Sequence, residues 1–179
     1  MVNPQESLDH SRKDDYRTIE QTMEKFSGGT RRLAAQLTTS ASFESLWSVL
    51  TDYDRLNLYI PNLLSSKKIF QNKNNVHLKQ VGAQDFLGMK FSAEVTIDLF
   101  EDKDLGLLKF NLIKGDFRKF EGSWKIQSIK NTSKNSLIYD LTVQGCQWMP
   151  IGMIEKRLKK DLSENLIAVD KQAKSSELI

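Results

Sequence analysis

Between Leu63 and Trp148 apolar and polar residues alternate with a period of two, interrupted by turn signals at NKNN, EDKDLG, KGD and KNTSKN. A strand with one buried face requires that period, so the stretch predicts five or six consecutive antiparallel strands. On either side the period lengthens. In SFESLWSVLTDYDRLNLYIPNL the residues Phe43, Leu46, Trp47 and Leu50 fall three or four apart, Ser42 stands where a cap is needed, and Pro61 closes the segment. This predicts an amphipathic helix, then a second short one through Leu56, Tyr59 and Ile60. After Pro150, Ile151, Ile154, Leu158, Leu162, Leu166 and Val169 form one stripe opposite Lys156, Lys159 and Lys160, which predicts a long C-terminal helix. Upstream, TIEQTMEKF fits a helix through Ile19, Met23 and Phe26, or one arm of a hairpin turned by SGG and continued by TRRLAAQLTTSA; the hairpin is the preferred reading. Met1 to Arg17 show no apolar face and are expected to form a mobile tail.

The order is that of an α+β protein whose long helix buries its stripe on a curving sheet. One domain is expected over residues 18–174, with tails at 1–17 and 175–179. Parity assigns the inward faces. Phe91, Ala93, Val95, Ile97 and Leu99 share one face; Leu108, Phe110 and Leu112 another; Phe120, Gly122, Trp124 and Ile126 a third; Leu137, Tyr139, Leu141, Val143, Gly145 and Gln147 the last. By the same count Arg118 looks inward. Keeping Leu112 and Phe120 on one face requires an odd-length connection, Gly115 to Phe117, or an equivalent bulge, and sets Lys114 beside Arg118. A local structural role for Arg118, paired with an acid such as Asp116 or shielding one end of the interior, is preferred to contact with a ligand. Gly122 among bulky neighbours and the inward Tyr139 suggest a partly open interior; the alternative is a core that Trp124 and Tyr139 simply fill.

Composition narrows the function classes. Of 179 residues, 39% are hydrophobic and 27% charged, an ordinary globular balance, and a net charge of +3 from 26 basic and 23 acidic side chains is no nucleic-acid signature. Arg31 with Arg32 and Lys67 with Lys68 lack interleaved aromatics and read as solvated, so no nucleic-acid partner is expected. The single Cys146 suits a reducing compartment and reads as an inert thiol. The N-terminus lacks a signal-peptide core and no apolar run approaches a membrane span, so a cytoplasmic protein, or one peripheral to a membrane, is expected. The NTS at Asn131 to Ser133 is then a chance match to the glycosylation pattern. His10 and His77 are the only histidines, one in the tail and one on a strand; no metal site, no triad, no phosphate loop and no cofactor are expected.

Three blocks, LWSVLTDYDRLNLYIPNL, GDFRKFEGSW and WMPIGMIEKRLKKDLSENLIAV, resemble the START-like, or polyketide cyclase/dehydrase and lipid-transport, superfamily, in its cyanobacterial and chloroplast branch. The resemblance spans about Arg31 to Asp170. It implies a helix-grip fold, a bent antiparallel sheet wrapped around the C-terminal helix with an internal hydrophobic cavity. It does not name the ligand, because members include lipid carriers, hormone receptors, quinone-binding proteins, aromatase/cyclases and hydrolases. No catalytic residue is carried over. The candidate cavity lining, from the inward faces and the helix stripe, is Phe91, Val95, Leu108, Phe110, Leu112, Arg118, Phe120, Trp124, Tyr139, Leu141, Gln147, Ile154 and Leu158. The expected function is binding or transport of a lipid, isoprenoid, quinone or pigment-related molecule. The alternatives are a cyclase/dehydrase-type enzyme and a protein-interaction module with a closed cavity. Trp148, Met149, Met153, Lys156, Lys159 and Lys160 are candidates for peripheral membrane contact, although a core cap followed by a solvated lysine face is the preferred reading of them.

Overall fold

Ser42, three residues after the preceding strand ends at Thr39, caps α1 (Phe43–Thr51), its Oγ accepting the Ser45 N–H at 3.2 Å. That satisfies one of the amides a helix start leaves free. Leu46, Trp47, Val49 and Leu50 form its buried face, and a 3-10 segment over Tyr53–Leu58 carries the chain to the turn at Pro61 and Asn62. This computed structural model describes residues 19–86, 89–147, 149 and 151–178. The expected N-terminal tail and Trp148 lie outside them.

Eight strands make one sheet: β1 (Ile19–Lys25), β2 (Arg31–Thr39), β3 (Leu63–Asn72), β4 (Asn75–Phe86), β5 (Met89–Asp102), β6 (Leu107–Gly115), β7 (Phe117–Ser128) and β8 (Asn135–Gly145). The order is β1-β2-β8-β7-β6-β5-β4-β3, with every neighbouring pair antiparallel. The hairpin reading of residues 19–39 holds: Met23 lies opposite Leu33, and Gly28, at φ 67°, takes the left-handed conformation that its turn requires. The period-two run gives the six strands β3 to β8. Together with the C-terminal helix they form the helix-grip α+β fold.

That helix, α2 (Ile151–Ser176), runs two residues past the expected domain edge and packs mainly on β2, β8, β1 and α1. Its stripe buries Ile154, Leu162, Leu166, Val169 and Ala173. Each of the four larger side chains contributes about 1.5–3 kcal/mol by leaving water. Polar clamps fix both ends. Near the start Glu155 accepts from Arg31 Nε at 2.6 Å and Lys25 Nζ at 2.9 Å. Near the end Asp170 accepts from Thr39 Oγ1 and pairs with Lys174 Nζ at 3.0 Å, while Glu177 accepts the Ser42 N–H at 2.7 Å. The clamps tie α2 to the β1-β2-β8 side, so the curving β4 to β7 side stands across a gap from it.

Candidate functional site

The gap is a cavity of about 310 Å³ between α2 and the inner faces of β4 to β8. Val95, Ile97, Leu99, Leu108, Phe110, Phe120, Trp124, Tyr139 and Leu141 form its sheet wall, and Ile154, Leu158, Leu162 and Val169 its helix wall. Trp124 stacks on Tyr139 with ring centroids 4.0 Å apart and planes 10° from parallel; Phe110 tilts against Phe120 at 5.7 Å and Tyr139 at 6.4 Å. These rings fill part of the interior and leave the rest open. Pro61, Asn62 and Ser92 line the cavity and are exposed, which marks the opening between the β3 start, the β5 start and mid-α2. Asn62 spans this mouth. Its O accepts the Ala83 N–H at 2.9 Å, and its Nδ2 reaches Asp161 Oδ1 at 3.4 Å.

Of the thirteen candidate lining residues, the structure brings ten together around the cavity: Phe91, Val95, Leu108, Phe110, Phe120, Trp124, Tyr139, Leu141, Ile154 and Leu158. Three do not join them. Arg118 is exposed, and the reason is a bulge. Phe117 pairs with Gly145 and Lys119 with Gln144, so Arg118 is one residue too many for the ladder. An unbroken ladder would set Arg118 opposite Gly145, facing in. The bulge puts Phe117 there instead, where it packs on the core and lines the cavity. Burying a phenyl ring gains about 1.5–3 kcal/mol, whereas burying an unpaired guanidinium costs far more. Asp116 holds the turn from outside the bulge, its N–H donating to Glu94 O at 2.9 Å and its Oδ2 accepting the Glu94 N–H at 2.7 Å. The expected Lys114 and Arg118 pair does not form, because β6 and β7 pair only as far as Asn111 with Glu121.

Leu112 packs against the core without reaching the cavity, next to a second register shift in β6 that leaves Ile113 exposed. Gln147 is exposed because β8 ends at Gly145, so strand parity no longer applies to it. Gly122 also differs from expectation. A Cβ there would lie 2.9 Å from the Phe110 ring, so the space it frees is taken by that ring and adds no room. Met149 is buried against Val143 and Ile154 and lines the cavity, so it is not available at a surface. The Met153 side chain lies outside the described residues.

The polar lining was not read from the sequence. Arg157, Asp161 and Asn165 look in from α2, Gln80 from β4 and Tyr53 from the segment after α1. Arg157 Nε lies 3.1 Å from Asp161 Oδ1, close enough for an ion pair though not aligned as a hydrogen bond. Burial pushes the Tyr139 hydroxyl well above its ordinary range, and the charge of Asp161 adds to the shift. Tyr53 is raised by burial first, then by its 2.6 Å hydrogen bond to Glu101. Both are neutral donors at physiological pH. Cys146 is partly buried, its Sγ directed at Asp116 O. His77 lies 3.4 Å from Asp98 on the outer face. Among the described residues no three of His, Cys, Asp and Glu gather where they could hold a metal, and no helix is long and apolar enough to cross a membrane.

A family described as polyketide cyclase/dehydrase and lipid transport matches residues 39–170. A search of curated protein sequences found no match. Among solved structures, a STAR-related lipid transfer protein from Xanthomonas axonopodis superposes with a TM-score of 0.76 at 10% identity, covering 89% of this chain and 96% of that one. The Zhui aromatase/cyclase from Streptomyces sp. R1128 gives 0.69 at 14% identity, covering 81% and 94%. A START superfamily protein from Mycobacterium smegmatis gives 0.64 at 16% identity, covering 80% and 97%. At these identities the likeness is one of fold.

Proposed function

Because the chain belongs to the polyketide cyclase/dehydrase and lipid-transport family, in which one fold serves both ligand binding and cyclase chemistry, we propose that it binds or carries a hydrophobic small molecule in its internal cavity. The observation that carries this reading is the unfilled, open-mouthed space between α2 and the sheet. Its volume of about 310 Å³ is at the lower end of small-molecule sites, and its wall is mainly aliphatic and aromatic with a few polar groups, as such sites require. A lipid, isoprenoid, quinone or pigment-related molecule fits that chemistry. An open mouth also speaks against a closed-cavity interaction module.

Filling the cavity tests the proposal. Ala93 lines it from β5 on the same face as Val95, and Ala93→Phe places a ring in the space. The wild-type chain is expected to bind the neutral dye Nile red with a blue-shifted emission that the folded variant lacks. Equal binding by both proteins would refute the proposal.

One observation favours a second reading, a cyclase/dehydrase-type enzyme: Asp161 is an acid that faces the cavity beside Arg157 and close enough to Tyr139 to shift it. Such an enzyme would return a bound β-keto compound lighter by one water, a change that mass spectrometry detects; return of the unaltered compound would dismiss it. We place the protein in the cytoplasm, with membrane contact, if it delivers its ligand to a bilayer, through the exposed Lys156, Lys159 and Lys160 on the opening turns of α2. Replacing all three by Gln removes about 3 kcal/mol of attraction to phosphatidylserine vesicles, a loss that co-sedimentation would reveal.

A further inference from the structure

Tyr53, Tyr59 and Tyr139 all pack with the core, and a tyrosine hydroxyl drawn out of water needs a hydrogen-bond partner. Two of the three have one. Tyr53 Oη donates to Glu101 Oε1 at 2.6 Å, and Tyr59 Oη to Val49 O at 2.6 Å. Among the described residues Tyr139 Oη has no partner. Nor is it sealed in: the side-chain atoms there that are both closed off and unpartnered are Ser136 Oγ, Arg157 Nε and Asn165 Oδ1. Tyr139 is only 7% exposed, yet its unused hydroxyl keeps open surface.

The fold shows where that surface opens. Tyr139 stands on the inner face of β8, the third strand from the sheet edge, between Ala35 of β2 and Trp124 of β7. It lines the cavity, with the polar strip of Arg157, Asp161 and Asn165 on the facing helix. Its open oxygen is therefore cavity surface. Trp124 stacks on the ring at 4.0 Å, so turning the hydroxyl toward a protein acceptor would break that stack.

What the ligand must bring follows from counting donors and acceptors. Burial first, and the charge of Asp161 second, keep the proton on Tyr139, which leaves it a neutral donor. The Trp124 indole N–H, which can only donate, has no partner among the described residues either. Around this pair the sheet wall is Leu108, Phe110, Phe120 and Leu141, none of which accepts. A hydrocarbon leaves the donors idle. An alcohol accepts but adds an O–H of its own, so one hydrogen of the pair stays unused in an apolar wall. A carbonyl oxygen has two lone pairs and no hydrogen, and it satisfies donors without adding one.

We infer that Tyr139 donates to a carbonyl oxygen of the bound molecule, so the ligand is an apolar body bearing a ketone, ester or quinone carbonyl rather than a plain hydrocarbon. The inference rests on the carrier reading and narrows the ligand classes that reading admits.

Displacement of Nile red by 2-undecanone and by undecane tests it on the full chain, as wild type and as Tyr139→Phe, with each protein's own affinity for the dye. The variant keeps the ring and its stack on Trp124 and loses an oxygen that no protein group uses, so it should fold as wild type does. Undecane binding should stay within about twofold, while 2-undecanone should weaken about five- to tenfold, the scale of one net hydrogen bond. Infrared spectroscopy supplies a readout independent of affinity. The C=O stretch of carbonyl-labelled 2-undecanone should lie at lower frequency in wild type than in heptane, and should return toward the heptane value in Tyr139→Phe. A ketone that loses no more affinity than undecane, a carbonyl band that the substitution leaves in place, or a wild type that binds Nile red but not the ketone overturns the Tyr139 assignment and leaves the carrier reading standing. If neither Nile red nor either compound binds, the carrier reading falls, and this inference with it.

Discussion

The grip of the sheet on α2 depends on a hydroxyl. Thr39, at the end of β2, is 2% exposed; its Oγ1 donates to Asp170, itself 4% exposed, and accepts the Ala41 N–H at 2.9 Å. Asn135 extends the network by donating to Ala41 O at 2.9 Å. Thr39→Val keeps the shape and removes both bonds. Loss of a bond to a buried carboxylate costs about 1.5–3 kcal/mol, and the stranded Ala41 N–H adds about 1–3 kcal/mol, so about 3–5 kcal/mol is expected in all. In a domain of this size that lowers the melting temperature by about 10 °C. Thr39→Ser retains the hydroxyl and loses one methyl, about 1 kcal/mol. Lys174→Met removes the more exposed partner of Asp170 and should cost no more than about 1 kcal/mol. Thermal denaturation followed by circular dichroism resolves these three variants. A Thr39→Val protein within 2 °C of wild type (a shift of ~0.5 kcal/mol), or a Ser variant as damaged as the Val one, would refute the assignment of this hydroxyl as the clamp on the C-terminal half of the helix.

Other perturbations follow from the same geometry. Glu155 is held below its ordinary value of 4.5 by hydrogen bonds from Lys25 and Arg31, so its contribution is fully present above pH 4.5 and is lost as pH falls through the lower folded value. Glu155→Gln should therefore lower the melting temperature at neutral pH, and scanning fluorimetry should show the gap to wild type shrinking on acidification below 4.5; a gap independent of pH would contradict the pairing. Because the bulge leaves Arg118 exposed, Arg118→Ala should change stability by no more than about 0.5 kcal/mol, whereas Phe117→Ala, which removes a half-buried ring from the cavity wall, should cost about 2 kcal/mol. Reversal of that order in a denaturant titration would place the bulge elsewhere. Gly145→Val should destabilise the start of α2, since even a Cβ at that position would lie 2.5 Å from Ile154 Cδ1.

Periodicity carried most of the fold because the strands β4 to β8 each turn one side to the core, and the α2 stripe from Ile154 to Val169 does as well; β3, whose Leu64, Ile69 and Phe70 are exposed, is held by its ladder to β4. Eight of the eleven lining residues proposed from the strands surround the cavity because parity stays valid wherever a ladder is unbroken, and the helix stripe supplies Ile154 and Leu158. Parity failed at Arg118, where one extra residue in β7 reverses the facing without any local sign in the residue types, and at Gln147, two residues beyond the end of β8. A single inserted position inverts every assignment on one side of it. The polar strip was missed for another reason. Arg157, Asp161 and Asn165 have the same four-residue spacing as the apolar stripe next to them, but polar residues at such spacing on a long helix ordinarily face water. Only the gap opposite α2 makes them wall residues. Trp124 and Tyr139 illustrate the limit of pattern alone: alternation placed both inside, but whether they filled the interior or lined it depended on how far the sheet stands from the helix.

The central claim is that the space between α2 and the sheet holds a hydrophobic molecule. Native mass spectrometry of the gently purified chain, followed by organic extraction and reloading with the extract, tests it most directly. One apolar molecule bound per wild-type chain, taken up again after extraction and refused by Ala93→Phe, is the predicted result. A chain that shows only its own mass as purified and after exposure to lipid extract, or an Ala93→Phe variant that retains the same adduct, would contradict it.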